Sequence, residues 1–577
     1  VTLIALNAIT LTPQGPAIAV SGNQQFTTTG TFSDKSQHDV TATTNWTSSN
    51  TAAATVGKNT GAVKGVGPGA SLITATNTST TPNPTVSTAI NVTNLNMTNA
   101  NLKGQYAFFL TNAGTRGPSF TVASFTADGG GTITAGIEDI NAATGSTGAN
   151  GLTLSGSYNI YPDGRGTVTL KSAQATNTFR IILSTTQIGG AAVEAQVMEL
   201  DGIGVEVGTL ELQTGTTAAL SGNYVLLIGG VNGTLATGQP ALQNPEDAAA
   251  LFSVAGGVIA GSSVDVNNNG TFSPGPAFAG TATGPSSKGT GRGALQLTGL
   301  PLAFGTNSTA NFTYYIVSPS KILLIETDTQ GSPLTGVPAL AGRAEVQSAG
   351  PFSNASLQNN TYVQLLERAA CAGVFASAGQ WDFSGATTLQ GEIDVNKNGT
   401  VSTVSITPSG TNYNVAANGR GTVTVSSTRS YIVYLVSAAR FYVLESDIKP
   451  NGGIADQQTN LTTVPNGTLV LGLAQLATGG NDSSFGAQLL TGAAGAVSGI
   501  QDSNIAVSNV ESQVSSVLSG NLISPPDPNG RSTASLGPAC GKGACAFYLV
   551  SPTKAVIFGT LSNLTNFQPV DGVLEIQ

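Results

Sequence analysis

Charge is what this chain has least of: 9% of its 577 residues are Asp, Glu, Lys or Arg, against about 25% in ordinary globular proteins. It has one histidine, three cysteines, two methionines and two tryptophans. Each scarcity excludes something. A lone His38 cannot serve a Ser-His-Asp or Cys-His site that recurs in several domains. Structural or catalytic zinc needs His/Cys clusters, which the sequence does not offer, and no phosphate-cradling Gly-rich loop with its Lys-Ser/Thr ending is present. The net charge is −9 without a basic stripe, which argues against a nucleic-acid partner. No apolar run reaches the roughly 18 residues of a membrane helix, so no transmembrane segment is expected. The chain starts at Val1 with no basic-then-apolar leader, and the expectation is an exported protein, extracellular or at the cell surface, whose leader has been removed. So little surface charge protects weakly against association, and the expected partner is another copy of the chain.

What is present is Gly (73 residues) and a 40% hydrophobic fraction, set in short alternating runs between Gly, Pro and Asn turns. That pattern reads as all-β. Residues 1–96 carry runs such as Ala17–Val20, Thr43–Thr47 and Ser71–Thr76, the spacing of a β-sandwich. Within them, Asn45-Trp-Thr-Ser-Ser-Asn-Thr-Ala-Ala-Ala-Thr-Val56 precedes Gly61-Ala-Val-Lys-Gly-Val-Gly-Pro-Gly-Ala-Ser-Leu-Ile-Thr-Ala-Thr76, and Leu11-Thr-Pro13 and Gln25–Asp34 form the opening strands. These segments resemble the bacterial immunoglobulin-like group 2 domain. The resemblance implies a surface spacer or adhesin module with no catalytic residues. Trp46 reads as its core.

The remainder repeats itself four times, over 97–213, 214–347, 348–458 and 459–577. A copy opens on Gly-x-Tyr, as in Gly104–Tyr106 and Gly222–Tyr224, with Asn360–Tyr362 and a weaker Gly467–Leu469 in the others. An Asp-x-Asn hairpin follows: Asp139/Asn141, Asp265/Asn267, Asp394/Asn396 and Asp502/Asn504. Then come a Gly-Arg turn (Arg165, Arg292, Arg420, Arg531), an aromatic-rich strand, and Glu-x-Asp (Glu199/Asp201, Glu326/Asp328, Glu445/Asp447), where the fourth copy has Gly559. Each closes on a strand ending in Gln: Gln213, Gln347, Gln458 and Gln577. A unit of this length is a domain rather than a solenoid rung. Consecutive hairpins make a meander, and roughly eight strands favour closure into a barrel that removes sheet edges, with a two-sheet sandwich as the alternative. The repeats resemble those found in tandem in secreted bacterial surface proteins of undefined function.

Candidate chemistry has a structural reading beside each functional one. Glu138-Asp139 and the Glu-x-Asp pairs are candidates for the paired carboxylates of a glycosidase, but residues i and i+2 share one strand face, which makes Glu-x-Asp a local structural pair. Asp265, Asn267 and Asn269, and again Asp394, Asn396 and Asn398, place oxygens at alternate positions before Gly270 and Gly399, the first half of a calcium loop. The bidentate Glu of such a loop is missing, since Pro276 and Ser405 stand there, and Asx residues also cap hairpins without metal. Calcium is therefore the one cofactor considered. The Gly-Arg arginines suit acidic sugars or a neighbour's carboxylates, and more simply a carboxylate of their own repeat. Cys540 and Cys545 flank a short loop and suit a disulfide in an exported protein, leaving Cys371 free; a link from Cys371 to either is the alternative. Val1, Thr2, Leu3, Ile4, Ala5 and Leu6 form an uncharged β-prone segment, either the first strand of its own domain or one donated to another subunit's sheet edge.

The functional expectation is a non-enzymatic structural protein, self-assembling into a filament, sheath or fibre. An adhesin or carbohydrate-binding protein, with surface glycans as partners, is the second reading, and a hydrolase the third.

Overall fold

The computed structural model describes the chain apart from residues 1–3, 113–118, 143–148, 202–205, 237–238, 287–288, 302–308, 329–337, 368–374, 398–399, 409–411, 448–450, 476–482, 492–494, 508–509, 524–525, 541–544, 560–569 and 577. Strands, with a few 3-10 turns, are the regular elements of the described residues, and no helix among them is long and apolar enough to cross a membrane.

The N-terminal domain packs small sheets around Phe26, Trp46, Ile73, Ile90 and Val92. In its four-stranded sheet, Thr85–Thr93 lies between Gly69–Asn77 and Ala17–Ala19, the last pairing parallel. Trp46 is buried, as its place in the sequence predicts. Ala5 exchanges hydrogen bonds with Ser33, and Leu6 opens the strand Leu6–Thr12, paired with Thr27–Phe32 and buried in the core. The C-terminal end of the segment considered for donation is thus built into its own domain; Val1, Thr2 and Leu3 lie outside the described residues, and Ile4 is exposed. His38 sits exposed on the edge strand Gln37–Asp39.

Each repeat is an antiparallel meander wrapped round its own core. Repeats 1 and 4 are closed eight-stranded barrels. Repeat 2 is a nine-stranded sheet with an additional pairing of Gln239–Ala255 to Val258–Asn268, and repeat 3 a nine-stranded sheet between Thr400–Ile406 and Tyr413–Val415. Alternation decides what faces in: Tyr106, Phe108 and Leu110 point into repeat 1, and Trp381 packs with Phe383, Tyr431 and Phe441 inside repeat 3. A 3-10 turn plugs one end of two repeats. Asn99 Oδ1 accepts from Ile160 N and Asn354 Oδ1 from Val415 N, both at 2.7 Å, while Leu102 and Leu357 enter the cores. Inside repeat 4, Cys540 and Cys545 are disulfide-bonded; Cys371 lies outside the described residues.

Some strands are apolar on both faces. In Arg429–Ser437, Tyr431, Val433 and Leu435 belong to the core of repeat 3, while Ile432, Tyr434 and Val436 join Val225, Ala249 and Leu251 of repeat 2. Outward apolar residues likewise join repeats 1 and 2 (Phe120, Val122, Tyr315, Leu323) and repeats 3 and 4 (Val363, Ala378, Tyr548, Phe558). A strand buried on both faces loses its polar alternation, which is why these segments read as continuous aromatic-aliphatic runs.

Candidate functional site

The repeating polar residues meet at the contacts between repeats. In the strands Val258–Asn268 and Gln390–Lys397, Val264, Val266, Ile393 and Val395 face the cores. Strand alternation then turns Asp265, Asn267, Asp394 and Asn396 outward. Asp139 and Asn141 are set in the same way, beside Glu138 on the opposite face, so Glu138-Asp139 is not a facing carboxylate pair.

Each outward aspartate is met by the Gly-Arg arginine of the next repeat. Arg292 grips Asp139 through Nε and Nη2, both at 2.7 Å. Arg420 grips Asp265 at 2.6 and 2.8 Å. Arg531 holds Asp394 through Nε at 2.9 Å and Nη2 at 2.8 Å. The simpler expectation, an arginine turning back on its own repeat, is overturned for these three. The arginine opens a strand paired on both sides, and its outward side looks at the neighbouring repeat, so its reach is across the contact. A tyrosine completes each set. Tyr315, Tyr434 and Tyr548 stand opposite these arginines in register. Tyr315 donates to Asp139 at 2.5 Å, Tyr434 donates to Asp265, and Tyr548 donates to Asp394 at 2.7 Å. Charge-assisted forks of this kind are among the stronger hydrogen bonds. Burial pushes the Tyr315 hydroxyl up, and the Asp139 charge adds to the shift. The bond to Asp139 in turn raises Arg292.

The other repeat signatures serve the same contacts. Asn141 Nδ2 donates to Glu326 O, Asn267 to Glu445 O, and Asn396 to Gly559 O, at 3.1, 2.8 and 3.3 Å. The acceptor is a backbone carbonyl, which explains why glycine suffices in the fourth copy. The closing glutamines donate forward: Gln213 to Ile316 O at 2.5 Å, Gln347 to Leu435 O at 2.8 Å, and Gln458 to Leu549 O at 2.6 Å. The following residue adds a backbone bond in each case, Thr214 to Val317, Ser348 to Val436 and Thr459 to Val550.

The series then returns to its start. Arg165 of repeat 1 reaches Asp502 of repeat 4 through Nη1 at 3.1 Å, Arg180 Nε lies 3.1 Å from the same oxygen, and Asn504 Nδ2 donates to Glu199 O at 3.0 Å. Repeat 4 thus meets repeat 1 in the same order, its Asp-x-Asn strand against the Gly-Arg arginine of the following copy. The four repeats form a closed cycle from a single chain.

The residues considered for calcium have these duties. Asp265 accepts from Arg420, Tyr434 and Gly275 N; Asn267 Oδ1 accepts from Gly270 N; and Asn269 takes a left-handed φ of 49° at the turn. Asp394 also accepts from Thr403, and Asn398 lies outside the described residues. Among the described residues no group of three or more His, Cys, Asp or Glu side chains is placed to hold a metal ion. In the Glu-x-Asp pairs the aspartate caps a neighbouring strand of its own repeat: Asp201, Asp328 and Asp447 accept from the backbone N of Thr178, Asn311 and Ser430. The glutamates are buried. Sequence reasoning marked the closing glutamines without giving them a role, and missed the tyrosines, which recur at a constant place in three copies.

Burial drives the Glu445 carboxyl up to about 8; Asp447 adds to this and Arg429, 3.5 Å away, opposes it. A raised folded-state value means that the native state holds a proton which the unfolded chain has released. That contribution is intact below the ordinary Glu range and is lost as pH rises toward 8. One such site changes stability by at most about 1.4 kcal/mol per pH unit. Thermal melts from pH 5 to 8 should therefore fall more steeply for the wild type than for Glu445→Gln; parallel curves would contradict this.

Residues 5–88 match the bacterial Ig-like domain (group 2). The chain is also similar to Ice-binding protein 1 of Shewanella frigidimarina (strain NCIMB 400), with 48% identity over 75 residues, which are 13% of this chain and 8% of that protein. The chain therefore matches only a small part of that relative's length.

Proposed function

We propose, from a group 2 Ig-like domain followed by four repeats in a closed cycle, that this is a non-enzymatic extracellular binding head, an adhesin-like protein that presents a rigid ring to surface glycans. The observation that carries the reading is the contact of repeat 4 with repeat 1 through Asp502, Arg165 and Arg180. A head-to-tail interface that does not close generates a filament, whereas one that closes is used up. Among the described residues, the repeat faces on which the expected filament would grow are engaged within the shut cycle. The relative's printed name makes ice a further ligand to assay.

Light scattering with negative-stain microscopy tests the architecture: single chains, each a four-lobed ring with one appended lobe, are expected, and long polymers would return the case to a fibre subunit. Glycan-array binding tests the ligand class, with thermal hysteresis run alongside; hysteresis without glycan binding would replace glycans by ice.

A further inference from the structure

The closing seam is built differently from the other three. Opposite Arg165 in register stands Ile182, where the other repeats have tyrosine. Arg180 supplies a second cation in place of the hydroxyl. The N-terminal domain supplies the rest: Arg165 Nη2 donates to Gly15 O at 2.9 Å, and Asn91 Nδ2 donates to Asp163 Oδ2 at 3.0 Å, the carboxylate that Arg165 Nε holds at 2.7 Å. Arg165 is thereby fully buried, whereas the side chains of Arg292, Arg420 and Arg531 keep 26, 27 and 25% exposure.

The same domain rests on repeat 4. Ala70 and Ala89, on the face of its sheet opposite Ile73, Ile90 and Val92, pack against Ile500 and Val517. Gly15 has a φ of +58°, and a Cβ there would lie 2.3 Å from Ser515 Oγ, so the two surfaces meet without room for a side chain. The Ig-like domain is joined by a short connection to repeat 1, since its last strand ends at Thr93 and the first strand of repeat 1 begins at Lys103. Docking on repeat 4 therefore ties the two ends of the repeat array together.

We propose that the Ig-like domain is a clasp that keeps the chain a closed monomer, and that undocking it turns the seam between repeats 4 and 1 into an interface between copies of this chain. The occupant follows from the chemistry. An opened chain presents Asp502 and Asn504 at one end and Arg165, Arg180 and the Glu199 carbonyl at the other. These surfaces complement each other in a second copy as they do in one chain. The clasp's contribution is effective concentration, which favours closure as long as it holds both ends. Without it, the same heterologous contact propagates.

The inference rests on the monomeric ring described above. Its test uses two full-length variants that disturb the clasp from opposite sides, Ala89→Glu on the Ig-like domain and Ile500→Glu on repeat 4. Both positions face away from their own domain's core, and far-ultraviolet dichroism and melting check the folds. Light scattering across a concentration series should show one chain for the wild type and a mass rising to two or more chains for each variant. A further Asp502→Ala change in either variant should abolish the rise. Variants that stay closed monomers, that open without associating, or whose oligomers survive Asp502→Ala each overturn the proposal. A wild type that polymerises would instead overturn the monomeric-ring reading.

Discussion

Asp265→Ala should weaken the contact between repeats 2 and 3 by about 3 kcal/mol. The carboxylate is completely buried and receives both prongs of Arg420 together with the Tyr434 hydroxyl. Removing one partner of a buried ion pair costs about 3–5 kcal/mol, because the other charge is stranded. The lower end applies because Arg420 keeps 27% exposure and recovers some water. Tyr434→Phe removes one hydrogen bond and should cost about 1 kcal/mol. Denaturant unfolding followed by hydrogen exchange in Arg429–Ser437 would measure both. If Asp265→Ala unfolds at the wild-type denaturant concentration, the stitch does not hold the repeats together.

A larger loss, near the top of that range at about 5 kcal/mol, is expected for Arg165→Met. Arg165 is fully buried between Asp163 and Asp502, so its loss leaves carboxylates in a dry contact. Arg165→Lys should recover little, because an ammonium cannot reach Asp163, Asp502 and the Gly15 carbonyl from one planar fork. The same site should be acid-sensitive. Burial pushes Asp502 up, but Arg180 and Arg165 outweigh it and hold the group below its ordinary range. A depressed carboxyl contributes stability above its unfolded value and loses it as pH falls through the folded one. Melting below pH 4 should therefore start at the closing seam, and hydrogen exchange in Arg165–Lys171 would report it. Wild-type stability for Arg165→Met, or an acid transition that begins elsewhere, would show that the seam does not rest on this cation.

These effects arise where the sequence had already marked positions without showing their partners. Asp-x-Asn, Gly-Arg, Glu-x-Asp and the closing Gln were legible as a fourfold pattern, since they recur at constant order in every copy or nearly so. Alternation within a strand shows which of two adjacent residues shares a face with which neighbour. It does not show what lies beyond that face. A carboxylate of the same repeat was therefore the simpler partner to expect for the arginines, with a neighbour's carboxylate beside it; Arg292, Arg420 and Arg531 reach into the preceding repeat, whereas Arg165 holds both Asp163 of its own repeat and Asp502. The continuous apolar strands held the better clue. In Tyr431-Ile-Val-Tyr-Leu-Val436 an apolar outward face needs a cover, and a tyrosine at a fixed place in that face needs an acceptor.

By itself the sequence determined an all-β chain, a group 2 Ig-like opening and four equivalent meanders, because strand period and turn residues act locally. Tertiary structure alone decided that each repeat grips the one before it, that the fourth comes round to the first, and that the Ig-like domain covers the joint. Whether a series of similar contacts closes depends on the rotation each adds. That angle is set by how whole sheets pack against one another, and no run of residues along the chain encodes it.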